Sequence, residues 1–305
     1  MGAAAAVSKQ PFFYGGQAVI EGVLMRGRNH YAVAARRKDG SIVVQQEPLT
    51  SRVYTSPVWK QPLFRGVAGL VEMLHLGMRA LTWSANVQME EEDIQLSKGA
   101  MRVTMGISIV FGLLLFVGLP LLAAGLLHRG GNRGVGFVVI EGIARAAILL
   151  GYLVLIGMTP SVKRVFEYHG AEHKTINCFE SGDPLDVEHV RRASRLHPRC
   201  GTGFLVVVAF VSIVVFAPLG GLQPVLLVLS RIVLVPVVAA VAYEGIRGLA
   251  RIRDTEVGRT LLVPILATQR LTTREPDDAQ MEVAIAALNA ARAGEIDDTP
   301  LPLAS

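Results

Sequence analysis

Between Val103 and Leu127 the chain runs for 25 residues without a charged side chain. At about 1.5 Å per residue, a helix of that length exceeds the roughly 30 Å hydrocarbon core of a bilayer. Three more apolar stretches follow: 134–158, which contains Glu141 and Arg145; 204–222, which is uncharged; and 225–243, which contains Arg231 and Pro236 with Glu244 just beyond. In hydrocarbon every backbone polar group must be satisfied inside its own segment, so such stretches fold as helices. Only a short link from Gly220 to Pro224 separates the last two, which therefore form a hairpin. The expected fold class is mainly α: a polytopic membrane protein with four transmembrane helices (103–127, 134–158, 204–222 and 225–243). A small cytoplasmic α/β portion, containing an N-terminal β-hairpin unit, completes it.

Composition agrees, with 51% apolar and 18% charged residues. The net charge of +5 does not point to nucleic acid, because no aromatic-plus-basic platform accompanies it. The basic residues flank the spans instead. Lys98 and Arg102 precede the first, Lys163 and Arg164 follow the second, and Arg247, Arg251 and Arg253 follow the fourth; the opposite side has Arg129 and Arg133 alone. The positive-inside rule then places both termini and the 159–203 connection in the cytoplasm, with the lipid bilayer as the chain's first partner. Thiols stay reduced there, so Cys178 and Cys200 are not expected to form a disulfide. The start of the chain lacks a basic n-region, and no signal peptide is expected.

The chain divides into a flexible tail (1–11), a β-rich unit (12–62), an amphipathic or interfacial helix with an acidic linker (63–99), a first transmembrane hairpin (103–158), a His/Cys-rich cytoplasmic loop (159–203), a second hairpin (204–246) and a cytoplasmic C-terminal segment (247–305). Lys38-Asp39-Gly40 between two β-patterned runs reads as a hairpin turn. Residues 63–89 carry apolar side chains at helical spacing interleaved with Glu72, His75 and Arg79, which disfavours a full crossing and favours a helix on the membrane surface or on the bundle. Residues 276–293 read as a short amphipathic helix.

Chemistry concentrates in 159–203. With no breaker in Ser161–Tyr168, the second apolar helix is expected to continue beyond Pro160. His169 and His173 then share one face, the spacing at which two imidazoles bind one metal ion. Glu172 immediately precedes the second histidine, in the order H-x-x-E-H, where the glutamate serves as general base. The Pro- and Gly-punctuated run His197-Pro-Arg-Cys200-Gly-Thr-Gly adds a third imidazole and a thiol, and Cys178 is a further candidate ligand. The expected cofactor is zinc or another divalent metal. Four protein ligands would close a structural site; three plus water, beside Glu172 or Glu180, would make a catalytic one. Spacing leaves both open. Within the spans, Glu141 and Arg145 are expected to pair along one helix and Arg231 with a neighbouring carboxylate. A structural lock is favoured over an ion path.

Four motifs carry a family resemblance: the run Gly15 to Arg26 (GGQAVIEGVLMR), Tyr168 to Lys174 (YHGAEHK), Ser194 to Thr202 (SRLHPRCGT) and Gln269 to Pro276 (QRLTTREP). In this order they resemble the YqhQ-type bacterial integral membrane proteins, over about residues 12 to 290. That family is a domain of unknown function, labelled in places a predicted metal-dependent enzyme. The resemblance implies a bacterial inner membrane location and a polar centre of His169, His173, His197 and Cys200 with Glu172 as base, and adds Glu21 and Arg26 as contributors. The leading expectation is a metal-dependent hydrolase at the cytoplasmic face. One alternative is a non-catalytic assembly factor, in which a structural metal or polar cluster presents a surface to a protein partner. A second is a small transporter using Glu141, Arg145, Arg231 and Glu244.

Overall fold

The computed structural model describes residues 14–50, 58–89, 98–128, 133–252 and 255–293. The expected tail 1–11 and the acidic run Glu90–Asp93 lie outside them. Four strands come first: β1 (Gly15–Val19), β2 (Gly22–Arg26), β3 (His30–Arg36) and β4 (Ile42–Pro48). They form one antiparallel meander in the order β1-β2-β3-β4. The N-terminal unit is thus a four-stranded sheet, and Gly40, at φ +88°, supplies the left-handed residue of the expected β3–β4 turn. The Ile20-Glu21 turn between β1 and β2 places Glu21 at φ +51°.

The helices are α1 (Phe64–Met89), α2 (Lys98–Leu113), α3 (Leu119–Leu127), α4 (Val135–Ile156), α5 (Pro160–Ser181), α6 (Val187–Arg192), α7 (Gly201–Phe216), α8 (Pro224–Val233), α9 (Val235–Arg251), α10 (Glu256–Thr272) and α11 (Asp278–Arg292). A π-helical turn at Leu114–Gly118 joins α2 to α3 without a break. Three helical segments are long and apolar enough to cross a membrane: Arg102–Leu127, Val135–Ile156 and Gly201–Leu219. The fourth expected span is a pair, α8 and α9, bent by 48°. Pro236, in the first turn of α9, brings no N–H to bond back into α8, and the ladder breaks at Leu234.

Proline also corrects the expected continuity after α4. That helix ends at Ile156, and α5 starts afresh at Pro160 with Thr159 extended before it. Pro160 is a first-turn residue rather than an interior one, as its missing N–H and its restriction of the preceding residue require.

The central strands β2 and β3 are buried on both faces, and period-two alternation sorts their side chains. Val23, Met25, Ala32 and Ala34 face α5 and α11, packing with Tyr168, Ala171, Ile176, Met281, Ala284 and Leu288. Leu24, Tyr31 and Val33 face the other way, onto Leu76 and Ala80 of α1. α1 is therefore the cover of the sheet, and its start is tied to α9 by the Arg65–Glu244 ion pair, with Arg65 Nε 2.7 Å from Oε1. α11 is a core element rather than a peripheral tail helix: Val283, Ala284, Ala287, Leu288 and Ala291 are fully buried. A capping box of Asp277 and Gln280 starts it.

A third core gathers Ala124, Phe137, Val138, Phe216, Leu227 and Val238 from the long apolar helices. Beside it lies a buried ionic triad. Glu141 accepts from Arg231, with Nη2–Oε2 at 2.6 Å, and pairs with Arg145, which also donates to Ser212 Oγ at 2.9 Å. The π-turn turns a carbonyl to the same place: Phe116 O accepts from Arg145 Nε at 3.2 Å. Both expected pairings thus converge on one carboxylate, while Glu244 belongs to a separate contact. Two cations share one anion, so the substitutions are unequal. Arg145→Ala leaves a neutral Arg231–Glu141 pair, whereas Glu141→Ala strands two buried guanidiniums at a cost of about 3–5 kcal/mol. The expected order of unfolding midpoints in detergent is wild type, then Arg145→Ala, then Glu141→Ala; equal loss in both variants would contradict the shared-anion arrangement.

Candidate metal centre

The centre forms where α5, the 195–200 connection, α7 and α10 meet. On α5, His169 and His173 do share one face, with ring centroids 4.4 Å apart. Each imidazole turns its Nδ1 to a backbone carbonyl: His169 to Thr272 O at 2.8 Å and His173 to Arg195 O at 2.6 Å. A carbonyl oxygen only accepts, so both Nδ1 atoms carry hydrogen, and in the neutral rings both Nε2 atoms carry lone pairs. That outward anchoring is how metal-ligating histidines are generally oriented.

Cys200 completes the group. Its side chain caps the start of α7, accepting from the Thr202 N–H, and its Sγ lies 3.3 Å from His169 Nε2. Ligand atoms of His169, His173 and Cys200 all lie within 4.8 Å of one another. The edge of a tetrahedron around a nitrogen- and sulfur-bound zinc is about 3.5 Å. The three donors therefore stand near coordination distance of a common point, and two of them are held in the correct tautomer.

Glu172 sits at the rim of this group, its Oε2 3.9 Å from His169 Nε2. It is 5% exposed and accepts the Gly16 N–H. Burial pushes its carboxyl up to about 7, against the pull of His169 and the Gly16 N–H. The glycine is required: a Cβ at Gly16 would stand 2.4 Å from Leu24 O and 3.1 Å from the Glu172 side chain. β1 of the sheet is thereby the lid over the glutamate. On the opposite side, α5 presses against the chain after α10, where a Cβ at Gly170 would stand 2.0 Å from Arg274 O.

Other expected site residues are elsewhere. His197 packs near His173, at 5.7 Å between centroids, but its ring serves a second cluster. Its Nε2 lies 3.8 Å from Glu180 and 3.2 Å from Arg199. Burial lowers the His197 pKa, outweighing the Glu180 carboxylate beside it. Burial favours a raised carboxyl at Glu180, yet the His197 hydrogen bond and the Arg199 charge hold it below its ordinary value. The main chain of His197 is clamped by Gln269, which accepts from its N–H at 2.9 Å and donates to its carbonyl at 2.7 Å. His197 thus positions the loop that carries Cys200, and does not join the donor group. Cys178 points away into the sheet core, donating to Pro184 O, and burial raises its thiol to about 11. Glu21 binds Arg164, with Nη2–Oε2 at 2.6 Å, and fixes the β1–β2 turn on α5. Arg26 ends β2, opposite Tyr31.

Spacing within 159–203 could not reveal Thr272, Gln269 or Gly16, which lie outside it. Gln269 and Thr272 lie in the QRLTTREP motif and Gly16 in GGQAVIEG, so the motifs that carry the family resemblance were the available signal. The two thiols are distinguishable: N-ethylmaleimide is expected to modify half-buried Cys200 in the folded protein, to be slowed there by added Zn²⁺, and to reach Cys178 only on unfolding. Equal labelling of both, or no metal protection of Cys200, would contradict the geometry.

Comparison with known proteins accords with these motifs. The family described as "Protein of unknown function (DUF1385)" matches residues 61–293. The "Uncharacterized protein YqhQ" of Bacillus subtilis (strain 168) is 36% identical over 294 residues, covering 92% of each chain. No solved structure matches. On this evidence the chain belongs to the DUF1385 family, whose function is not established.

Proposed function

We propose that the chain is an integral membrane hydrolase whose divalent metal, zinc by the chemistry of its donors, is held by His169, His173 and Cys200 at the cytoplasmic face. The observation that carries this reading is the anchoring of both Nδ1–H groups on backbone carbonyls, which leaves both Nε2 lone pairs free for a metal, that of His169 3.3 Å from the Cys200 thiol. Two imidazoles and a thiolate suit zinc and leave a fourth tetrahedral position open. A divalent ion bound there supplies Lewis acidity, polarising water and the substrate oxygen. Glu172, at the rim, takes a proton from the attacking water. The water oxygen bonds to the electrophilic centre, the bond to the leaving group breaks, and the proton passes from Glu172 to that group. The Gly16 contact holds the carboxylate in place, and the sheet and α1 above it exclude bulk water.

Support for the membrane reading comes from exposure. Ile107, Leu126, Phe210 and Val225 are 66%, 75%, 69% and 72% exposed on the long apolar helices. A surface this apolar is not viable in water. Three uninterrupted spans and the bent α8–α9 pair return the chain to its starting side, the side on which Lys98, Lys163, Arg247 and Arg251 flank the spans in sequence. The sheet, α5, α11 and the donor group sit on that side.

One observation favours a second reading, an assembly factor with a structural clamp: the same group joins α5, α7 and α10. Glu172→Gln separates the two. In an enzyme this variant retains metal and unfolding midpoint but loses turnover of a panel of nitrophenyl esters and phosphodiesters. In a clamp it leaves any measured property close to wild type, while His169→Ala, His173→Ala and Cys200→Ser all lose stability. The transporter reading gains no support, since Glu141, Arg145 and Arg231 satisfy one another and Glu244 is engaged with Arg65.

A further inference from the structure

We infer that the substrate is a membrane lipid with an anionic headgroup, presented to the metal centre from within the bilayer; this rests on the hydrolase reading above. The first observation is depth. The segment Gly201–Leu219 has 19 residues, or about 28 Å of helix, against a hydrocarbon core of about 30 Å. None can be spared if it crosses. Cys200, the residue capping that segment, is then fixed at the boundary between hydrocarbon and headgroups. The oxygen esters of a glycerolipid lie in that same layer, whereas a freely soluble substrate has no need of a site there.

The second observation is α10. Its last residue, Thr272, holds His169 through its carbonyl, and its Oγ1 lies 3.4 Å from Thr202 Oγ1 in the first turn of α7. Ile265 packs on Gly203. The helix is thus tied to the boundary at the metal centre, yet it leaves large apolar side chains uncovered: Val257, Leu261 and Val263 are 63%, 51% and 63% exposed. Arg259, Arg270 and Arg274 are also exposed, and none of the three makes an ion pair with a described residue. Uncovered apolar side chains interspersed with arginines that have no acidic partner among the described residues fit a helix lying in the interface of an anionic leaflet. Arg270 and Arg274 flank Thr272 in sequence, at the end of α10 whose carbonyl holds His169, and are the cations offered to a headgroup there.

The step is hydrolysis and needs no redox partner. The water oxygen bonds to the ester carbonyl carbon or the phosphorus. The bond to the glycerol or headgroup oxygen breaks, and that oxygen leaves with the proton carried by Glu172.

The test uses the full-length protein in nanodiscs of equal phosphatidylglycerol and phosphatidylcholine, read by native mass spectrometry. Wild type is expected to leave the disc with phosphatidylglycerol bound in preference to phosphatidylcholine. The double variant Arg270→Gln plus Arg274→Gln is expected to lose that preference by about tenfold or more, with metal content and unfolding midpoint unchanged. A photoreactive benzoylphenylalanine at Leu261 is expected to crosslink to lipid. No preference in wild type, or crosslinking of position 261 to a protein, overturns the lipid assignment and leaves the hydrolase reading standing. Metal content on the same samples reads the other claim: lipid preference without stoichiometric metal removes the hydrolase reading, and the lipid-substrate inference with it.

Discussion

Two hydrogen bonds to backbone carbonyls, from His169 to Thr272 and from His173 to Arg195, are the constraint on which the centre depends. Without them the two rings on α5 could adopt either tautomer, and their lone pairs would have no common target. With them, α5 alone presents two oriented donors, and Cys200 need only be brought within reach. That is accomplished by main-chain bonds as well: Gln269 grips both the N–H and the carbonyl of His197, so the Pro-Arg-Cys turn leaves a fixed point. Carbonyl and amide contacts of this kind are worth about 1 kcal/mol each in stability. Their larger effect is geometric, because they set which atoms of the side chains face the interior.

The sheet serves the same end. Small residues on its helix-facing side, Ala32 and Ala34, let α11 and α5 approach closely. β1, the edge strand, then lies directly over Glu172, with a glycine where any side chain would collide. The Glu21–Arg164 pair locks the β1–β2 turn to α5 and keeps that lid registered. Fold and site are therefore one construction: the three-layer arrangement of α1, sheet and α5/α11 brings the glycine-rich N-terminal motif and the histidine motif together, although about 150 residues separate them.

Much of this was legible in the chain. A charge-free run longer than the hydrocarbon core is thick announces its helix without any tertiary information, and the His169–His173 spacing announces a shared face. The Lys38–Gly40 turn was visible because only a few residues adopt that backbone. What spacing could not convey was the partner of each side chain. His197 resembles Cys200 in its loop, yet burial against Glu180 and Arg199 commits its ring elsewhere; Cys178 is near His173 in sequence but on the core side of the helix. Proline decides the helix boundaries at 160 and 236, where one starts a new helix and the other bends an expected span. Arg231 lacked a named partner until folding placed it on Glu141, an acid already shared with Arg145.

The central claim is that three donors on α5 and α7 hold one metal ion. Elemental mass spectrometry of detergent-purified protein measures it directly, on wild type and on the His169→Ala plus His173→Ala variant. The account predicts about one zinc per chain in wild type and none in the variant, with His197→Ala retaining the metal. Wild type free of stoichiometric metal, or a variant that keeps it, would contradict the account.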